Sequence, residues 1–254
     1  MDFTIEKYRE LVLALKGASY KFVRYDEYCN GKRAERMIVM RHDVDRSVKR
    51  AVRLAKVEKE IGVRASYYFR EQFIGEDVVY IASLGHEVGF HYEDLVTEKG
   101  DVDRAYVRFV RNISALRELV DVKTITMHGS PLSGIDSGKL WQKYDYRDIG
   151  IIGEPKFDVN WSELVYLTDT GRNWRGVSRR DKINKFQYIW DKKGFIYRTT
   201  DDIIKALEHN NFPSKVMISI HPQRWSEGII NWVQELLFQS CKNILKVILL
   251  RFFN

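Results

Sequence analysis

Cysteine is scarce in this chain: its 254 residues include only Cys29 and Cys241. Two cysteines so far apart provide neither a disulfide framework nor zinc-finger spacing, so a reducing compartment is the default. Proline is also rare, at four residues, and no Ser/Gly-rich linker divides the sequence. A single domain over 1–254 is therefore expected. No apolar run reaches the ~18 residues that suggest a membrane span. The opening stretch, MDFTIEKYRE, is charged and amphipathic, without the apolar centre of an export signal, which points to the cytoplasm. Repeats and low-complexity tracts are missing too. The formal charge is +7, but the basic residues are spread out and no nucleic-acid motif accompanies them, so nucleic-acid binding is not expected. The positive balance fits an anionic partner without naming one.

What the chain does have is ample core material, with 44% hydrophobic and 13% aromatic residues. Its apolar pattern alternates between the two basic periods. Helical spacing runs over 4–16, 46–61, 77–85, 102–120, 137–144, 201–210 and 229–250. Strand-like runs occupy 37–42, 66–70, 86–91, 124–128, 148–153, 164–169 and 215–221. Serial strand–helix alternation predicts an α/β fold with a parallel sheet. Seven or eight mostly parallel strands favour an irregular (β/α) barrel.

The polar residues fall into place on that frame. Asp43 and Asp45 follow the first long strand in RHDVDR (41–46). His91 closes HEVGFH, His128 closes TITMH and His221 closes KVMISIH. In a (β/α) barrel the C-terminal strand ends meet on one face, where active sites are built. Any one of these histidines taken alone is as readily a capping or packing residue. Together with the two acids, the set marks a site. His86 lies five residues before His91, on the opposite face of an extended strand, and reads as structural. Asp and His suit zinc and similar divalent ions. A second carboxylate can take a proton from water, and an opposing histidine can protonate a leaving group. The set thus points to metal-assisted hydrolysis.

These residues resemble the NodB-type polysaccharide deacetylases, carbohydrate esterases that remove N-acetyl groups from sugars. The resemblance runs from about residue 37 to 225. HDVD (42–45) is similar to the family's Asp-x-Asp motif, which implies Asp43 as general base and Asp45 as metal ligand. LGHEVGFH (84–91) is similar to the stretch whose last histidine binds metal, which implies His91. ISIHPQRW (218–225) is similar to the late motif whose histidine is the general acid, which implies His221. One position departs: the family's second metal histidine, four residues after the first, is here Leu95. His128 in MHGSP is the leading replacement, with Glu93 and Asp94 as nearer alternatives. The resemblance implies a divalent metal, zinc first among them, and an N-acetylated saccharide substrate. A phosphate-bearing carrier for that saccharide would suit the positive charge. Two other readings stay open: a hydrolase of another non-peptide C–N bond, allantoinase-like, and a saccharide-binding relative without catalysis.

Further residues are candidates for substrate contact. Glu154 ends the run GIIGEP (150–155), where it either lines a pocket or pairs with a nearby arginine. Residues 172–185 hold six basic residues and one acid. They read either as a solvated loop or as a loop in which Arg172 grips an anionic group and Trp174 stacks on a sugar. Arg224 and Trp225, just after His221, are placed to shape a pocket. The apolar closing helix is expected to pack on the barrel in preference to a membrane, with a dimer surface as a further reading.

Overall fold

The computed structural model describes residues 1–130, 133–174 and 184–238. The latter part of the expected closing helix, Cys241 and residues 175–183 of the basic segment lie outside them.

The chain opens with helix α1 (Ile5–Gly17), started by the Thr4 side chain, which accepts from the Lys7 amide at 3.1 Å. Strand β1 (Lys21–Phe22) and a short helix α2 (Tyr25–Cys29) follow. Strand β2 (Met37–Val44) is buried along its whole length. Helix α3 (Val48–Ile61) ends at Gly62, whose φ of 78° is the left-handed stop that glycine adopts freely. Next come β3 (Ser66–Phe69), α4 (Glu76–Ser83), β4 (Glu87–Tyr92), α5 (Asp94–Thr97), α6 (Val102–Arg117) and β5 (Val122–Met127). After a long irregular stretch lie α7 (Pro155–Asp158), β6 (Val165–Thr168), α8 (Asn184–Lys192), α9 (Thr200–Glu208) and β7 (Lys215–Ile220). Residues 228–238 are helical. No helix among the described residues is long and apolar enough to cross a membrane.

The seven strands form one parallel sheet in the order β5-β4-β3-β2-β7-β6. β1 pairs with the first residues of β2, and β3 takes over that edge from Arg41 onward. The fold is thus α/β with a barrel-like parallel sheet in which, among the described residues, no strand joins β5 to β6. The expected strand at 148–153 explains the gap. Tyr146–Ile149 is instead a 3-10 turn, and Gly150 breaks the extended path at φ 76°. Among the described residues this stretch meets β5 in one isolated bridge, Thr124 to Gly153. The expected helix at 137–144 is likewise a 3-10 segment, Ser137–Gln142.

β2 sorts its side chains by strict alternation. Arg41 and Asp43 face the sheet's inner side, while His42 faces the helices. There the buried Glu58 of α3 accepts from Tyr67 Oη at 2.7 Å, and also bonds to Tyr8 Oη and His42 Nε2. His86 serves the same layer, bonding to the Ala65 amide and the Ala55 carbonyl. On the inner side Tyr68 lies flat over Gly89, where an added Cβ would sit 2.6 Å from the Thr124 carbonyl. Only glycine lets the strand and ring approach this closely.

Candidate metal and acid–base site

β2 ends in a sharp turn. The Asp45 amide donates to the Asp43 carbonyl at 3.1 Å. This two-residue closure is why acids at i and i+2 need not point the same way. Asp43 stays in the sheet's interior. Its Oδ2 accepts from Arg41 Nη2 at 3.2 Å and from Ser219 Oγ of β7 at 3.0 Å. Its buried Oδ1 has no partner. Burial alone would raise the Asp43 carboxyl, but the Arg41 guanidinium, aided by His91 and His221, holds it below the usual range. Arg41 is itself fixed by Thr126 Oγ1 at 2.6 Å.

Asp45 swings toward the ends of β4 and β5. Its Oδ2 accepts from Gln223 Nε2 at 2.8 Å. Its Oδ1 lies 3.3 Å from His91 Nε2 and 3.6 Å from His128 Nε2. One donor atom from each of Asp45, His91 and His128 lies within 4.8 Å of the other two. The far side of each ring is already engaged: His91 Nδ1 donates to the Thr126 carbonyl at 3.0 Å, and His128 Nδ1 to Glu93 Oε2 at 2.7 Å. Glu93 is in turn paired with Arg70. Burial, with His91 nearby, lowers His128 to about 3, so its ring is neutral at pH 7. Two imidazole nitrogens therefore face an oxygen that has no hydrogen bond of its own. Such a cluster calls for a cation between its members, and one carboxylate with two imidazoles is a donor set that divalent zinc accepts.

His221, just past β7, is held from the other side. Asp169, one residue beyond β6, places Oδ1 2.6 Å from His221 Nδ1 and 2.6 Å from Arg224 Nη1. Its Oδ2 accepts from the His221 amide and from Trp225 Nε1, both at 2.9 Å. Burial would raise this carboxyl, but Arg224 and His221 more than offset it and keep Asp169 ionised. An ionised Asp on Nδ1 fixes the tautomer and leaves the His221 Nε2 edge to carry a transferable proton.

Asp43, Asp45, His91, His128 and His221 thus stand at the C-terminal ends of four strands. Of the proposed substrate contacts, Arg224 touches His221, with its Nη1 2.7 Å from Nδ1, and the side chains of the others are engaged elsewhere. Trp174 is 2% exposed, packed against Phe3 and Trp225 with its indole N–H on Thr200. No ring face is open to a sugar. Trp225 is fully buried against Phe3 and Tyr8 and serves Asp169. Arg224 Nη1 is engaged by the Asp169–His221 pair. Arg172 lies between the Phe3 and Trp232 rings, 5.1 Å from each. Glu154 is 1% exposed; it caps α7 through the Lys156 amide at 2.6 Å and accepts from the Met127 amide at 3.1 Å. Leu95, where the resemblance has a histidine, is buried in the core. Sequence reasoning missed Asp169, Arg41, Glu93 as a partner of His128, and Gln223. Asp169 carried a signal: it ends LVYLTD by the same strand-end rule that singled out the histidines.

No family model matches the chain, and no curated protein matches it. Among solved structures, it is similar to the catalytic domain of peptidoglycan N-acetylglucosamine deacetylase from Eubacterium rectale. That match has a TM-score of 0.46 and 14% identity, covering 84% of this chain and 87% of that one. It is also similar to a CE4 family pseudoenzyme from Bacillus anthracis, with a TM-score of 0.43 and 12% identity over 83% of this chain and 61% of that one. A third similar structure is a peptidoglycan deacetylase from Bacillus subtilis, with a TM-score of 0.39 and 12% identity over 84% of this chain and 96% of that one. These likenesses concern the course of the chain, and what the site can do rests on its own side chains.

Proposed function

We propose that this chain is a metal-dependent hydrolase that removes an N-acetyl group from a saccharide. The observation that carries the reading is the convergence of Asp45, His91 and His128 beside Asp43, a buried carboxylate with one unpaired oxygen. Asp45, His91 and His128 would hold a divalent ion, with zinc the best match to the donor set. Such an ion, when bound, polarises an amide carbonyl and acidifies water toward neutral pH. Asp43 takes the proton from the attacking water at Oδ1, while Arg41 and Ser219 keep Oδ2 in place. His221 gives a proton from Nε2 to the departing amine nitrogen, and Asp169 stabilises the cationic ring before that transfer. The resemblance of the three motifs supports an N-acetylated saccharide, and the charge of +7 supports one on a phosphate-bearing carrier.

The test is acetate release from a panel of N-acetylated sugars, free and nucleotide-linked, alongside metal content. Asp43→Asn should keep its metal and lose activity by about 10²–10⁴-fold or more. Full activity in Asp43→Asn would remove the general-base role. A parent protein that binds metal and sugar yet releases no acetate would leave a binding module instead.

A further inference from the structure

Gln223 touches the site, yet neither the metal-holding nor the proton-transfer roles use it. It sits on the 3-10 turn Pro222–Arg224, two residues after His221, and is 4% exposed. Side chain and backbone are both fastened to one corner of the fold, where β2 passes into α3. Its Nε2 donates to Asp45 Oδ2 at 2.8 Å. Its backbone carbonyl accepts from Arg50 Nη1, in the first turn of α3. Arg50 in turn lies 3.9 Å from Glu235 on the helix over 228–238. That helix meets α3 through charge and not through the apolar packing expected of it: Arg46 pairs with Glu235 at 2.9 Å, while Ile230 is 75% exposed.

The orientation of the Gln223 amide is forced. A carboxylate only accepts, so the atom facing Asp45 is the donor, Nε2. Oε1 is left buried, with no hydrogen-bond partner among the described residues. A buried oxygen in that state is destabilising, and an apolar side chain of the same size would fill the space without it. What glutamine supplies there, and an apolar residue does not, is the grip on Asp45. The last torsion of an aspartate is broad. With Oδ2 anchored, Oδ1 stays between His91 Nε2 at 3.3 Å and His128 Nε2 at 3.6 Å. We propose that Gln223 is a positioning residue of the candidate metal site, holding Asp45 so that Oδ1 faces the two imidazoles. The inference rests on the metal reading given above. Because His221 and Gln223 share one turn, the same anchor also sets the spacing between the metal ligand and the acid histidine.

Zinc affinity of the full chain, measured by competition against a chromophoric chelator, tests this without any turnover. Gln223→Met keeps the length and bulk of the side chain and removes both amide atoms. It should weaken zinc binding about 10–100-fold. Gln223→Asn keeps the amide but withdraws it by about one bond, ~1.5 Å, out of hydrogen-bond reach of Asp45, and should weaken zinc over the same range. A packing role predicts a different pattern, with Gln223→Met at the parent's affinity. Thermal melts in chelator should be nearly the same for Gln223→Met and the parent, because the lost hydrogen bond and the removed unpaired oxygen oppose each other. The rise in melting temperature that zinc produces should shrink. If Gln223→Met binds zinc as tightly as the parent while Asp45→Ala binds none, the metal site stands and the role of Gln223 is overturned. A Gln223→Met melt far below the parent's in chelator makes the residue structural and overturns the inference as well. If the parent itself binds no zinc, the metal reading and this inference fall together.

Discussion

Glu93 gives the sharpest test of the proposal that His128 replaces the metal histidine that the resemblance has at the position of Leu95. Glu93 Oε2 accepts from His128 Nδ1 at 2.7 Å, and Ser130 Oγ stands 3.2 Å from the same nitrogen. The carboxylate holds the ring so that Nε2 faces Asp45, and it raises the ring's electron density. Carboxylates in this outer position are worth about 10–100-fold in metal affinity, or ~1.4–2.7 kcal/mol. The Glu93 and His128 side chains are 21% and 19% exposed, so water screens part of the effect. Glu93→Gln retains an acceptor for Nδ1–H, which places it near tenfold. Glu93→Ala leaves only Ser130 and belongs near a hundredfold. Zinc competition against a chromophoric chelator measures the affinity. The cobalt(II) absorption spectrum reports whether a ligand has been lost, which a general loosening of the fold would not do. If Glu93→Ala bound zinc as tightly as the parent, the Glu93–His128 arm would not belong to a metal site.

Asp169→Asn should leave zinc affinity unchanged and cut acetate release by up to ~10⁴-fold, because the amide no longer enforces the productive tautomer of His221; nitrogen NMR of the ring gives a readout independent of turnover. Glu154 should make stability fall with rising pH. Burial lifts its carboxyl from 4.5 to about 7, so its contribution is complete below the lower value and is lost as pH climbs through the upper one. Unfolding free energies from urea titrations at about pH 5 and pH 8 should therefore differ less in Glu154→Gln than in the parent, by up to a few kcal/mol, and an unchanged difference refutes the assignment. Gly89→Ala should cost about 1–3 kcal/mol by forcing Tyr68 off the strand, seen as a lower melting temperature; an unchanged melt would mean that the ring moves freely.

Much of the site was legible because each of four mainly apolar runs ends close to an Asp or His. Such a run fixes both the strand and the end where its side chain emerges. Asp169 obeyed the same rule and was passed over. Its strand is four residues long and its acid follows a threonine, so the change from apolar to polar is blurred. Arg41 was hidden for a different reason: a buried arginine beside a buried aspartate looks in one dimension like ordinary strand-end charge. The aromatic assignments failed because burial is a property of neighbours. Trp174 sits in a basic segment that reads as solvated, yet Phe3, from the far end of the sequence, covers it. The stretch at 148–153 had the composition of a strand, but Gly150 and the Glu154–Pro155 start of α7 left too little straight chain for a ladder. His128 was singled out by its strand end, whereas Glu93, which fixes its tautomer, was weighed only as a rival ligand.

The seam between β5 and β6 divides the molecule into a part that resists change and a part that tolerates it. Every strand that delivers a candidate site residue lies within the hydrogen-bonded run from β5 to β6. A one-residue slip there would turn a ligand to the wrong face. From Gly129 to Leu164 the described residues cross the gap with one isolated bridge and short turns, so there is little register to lose. Lengthening or shortening this stretch can reshape the surface beside β5 while the candidate proton-transfer and metal-holding groups keep their places. On the proposed function, a change of length in the seam should alter which substrates are accepted and leave metal binding as it is.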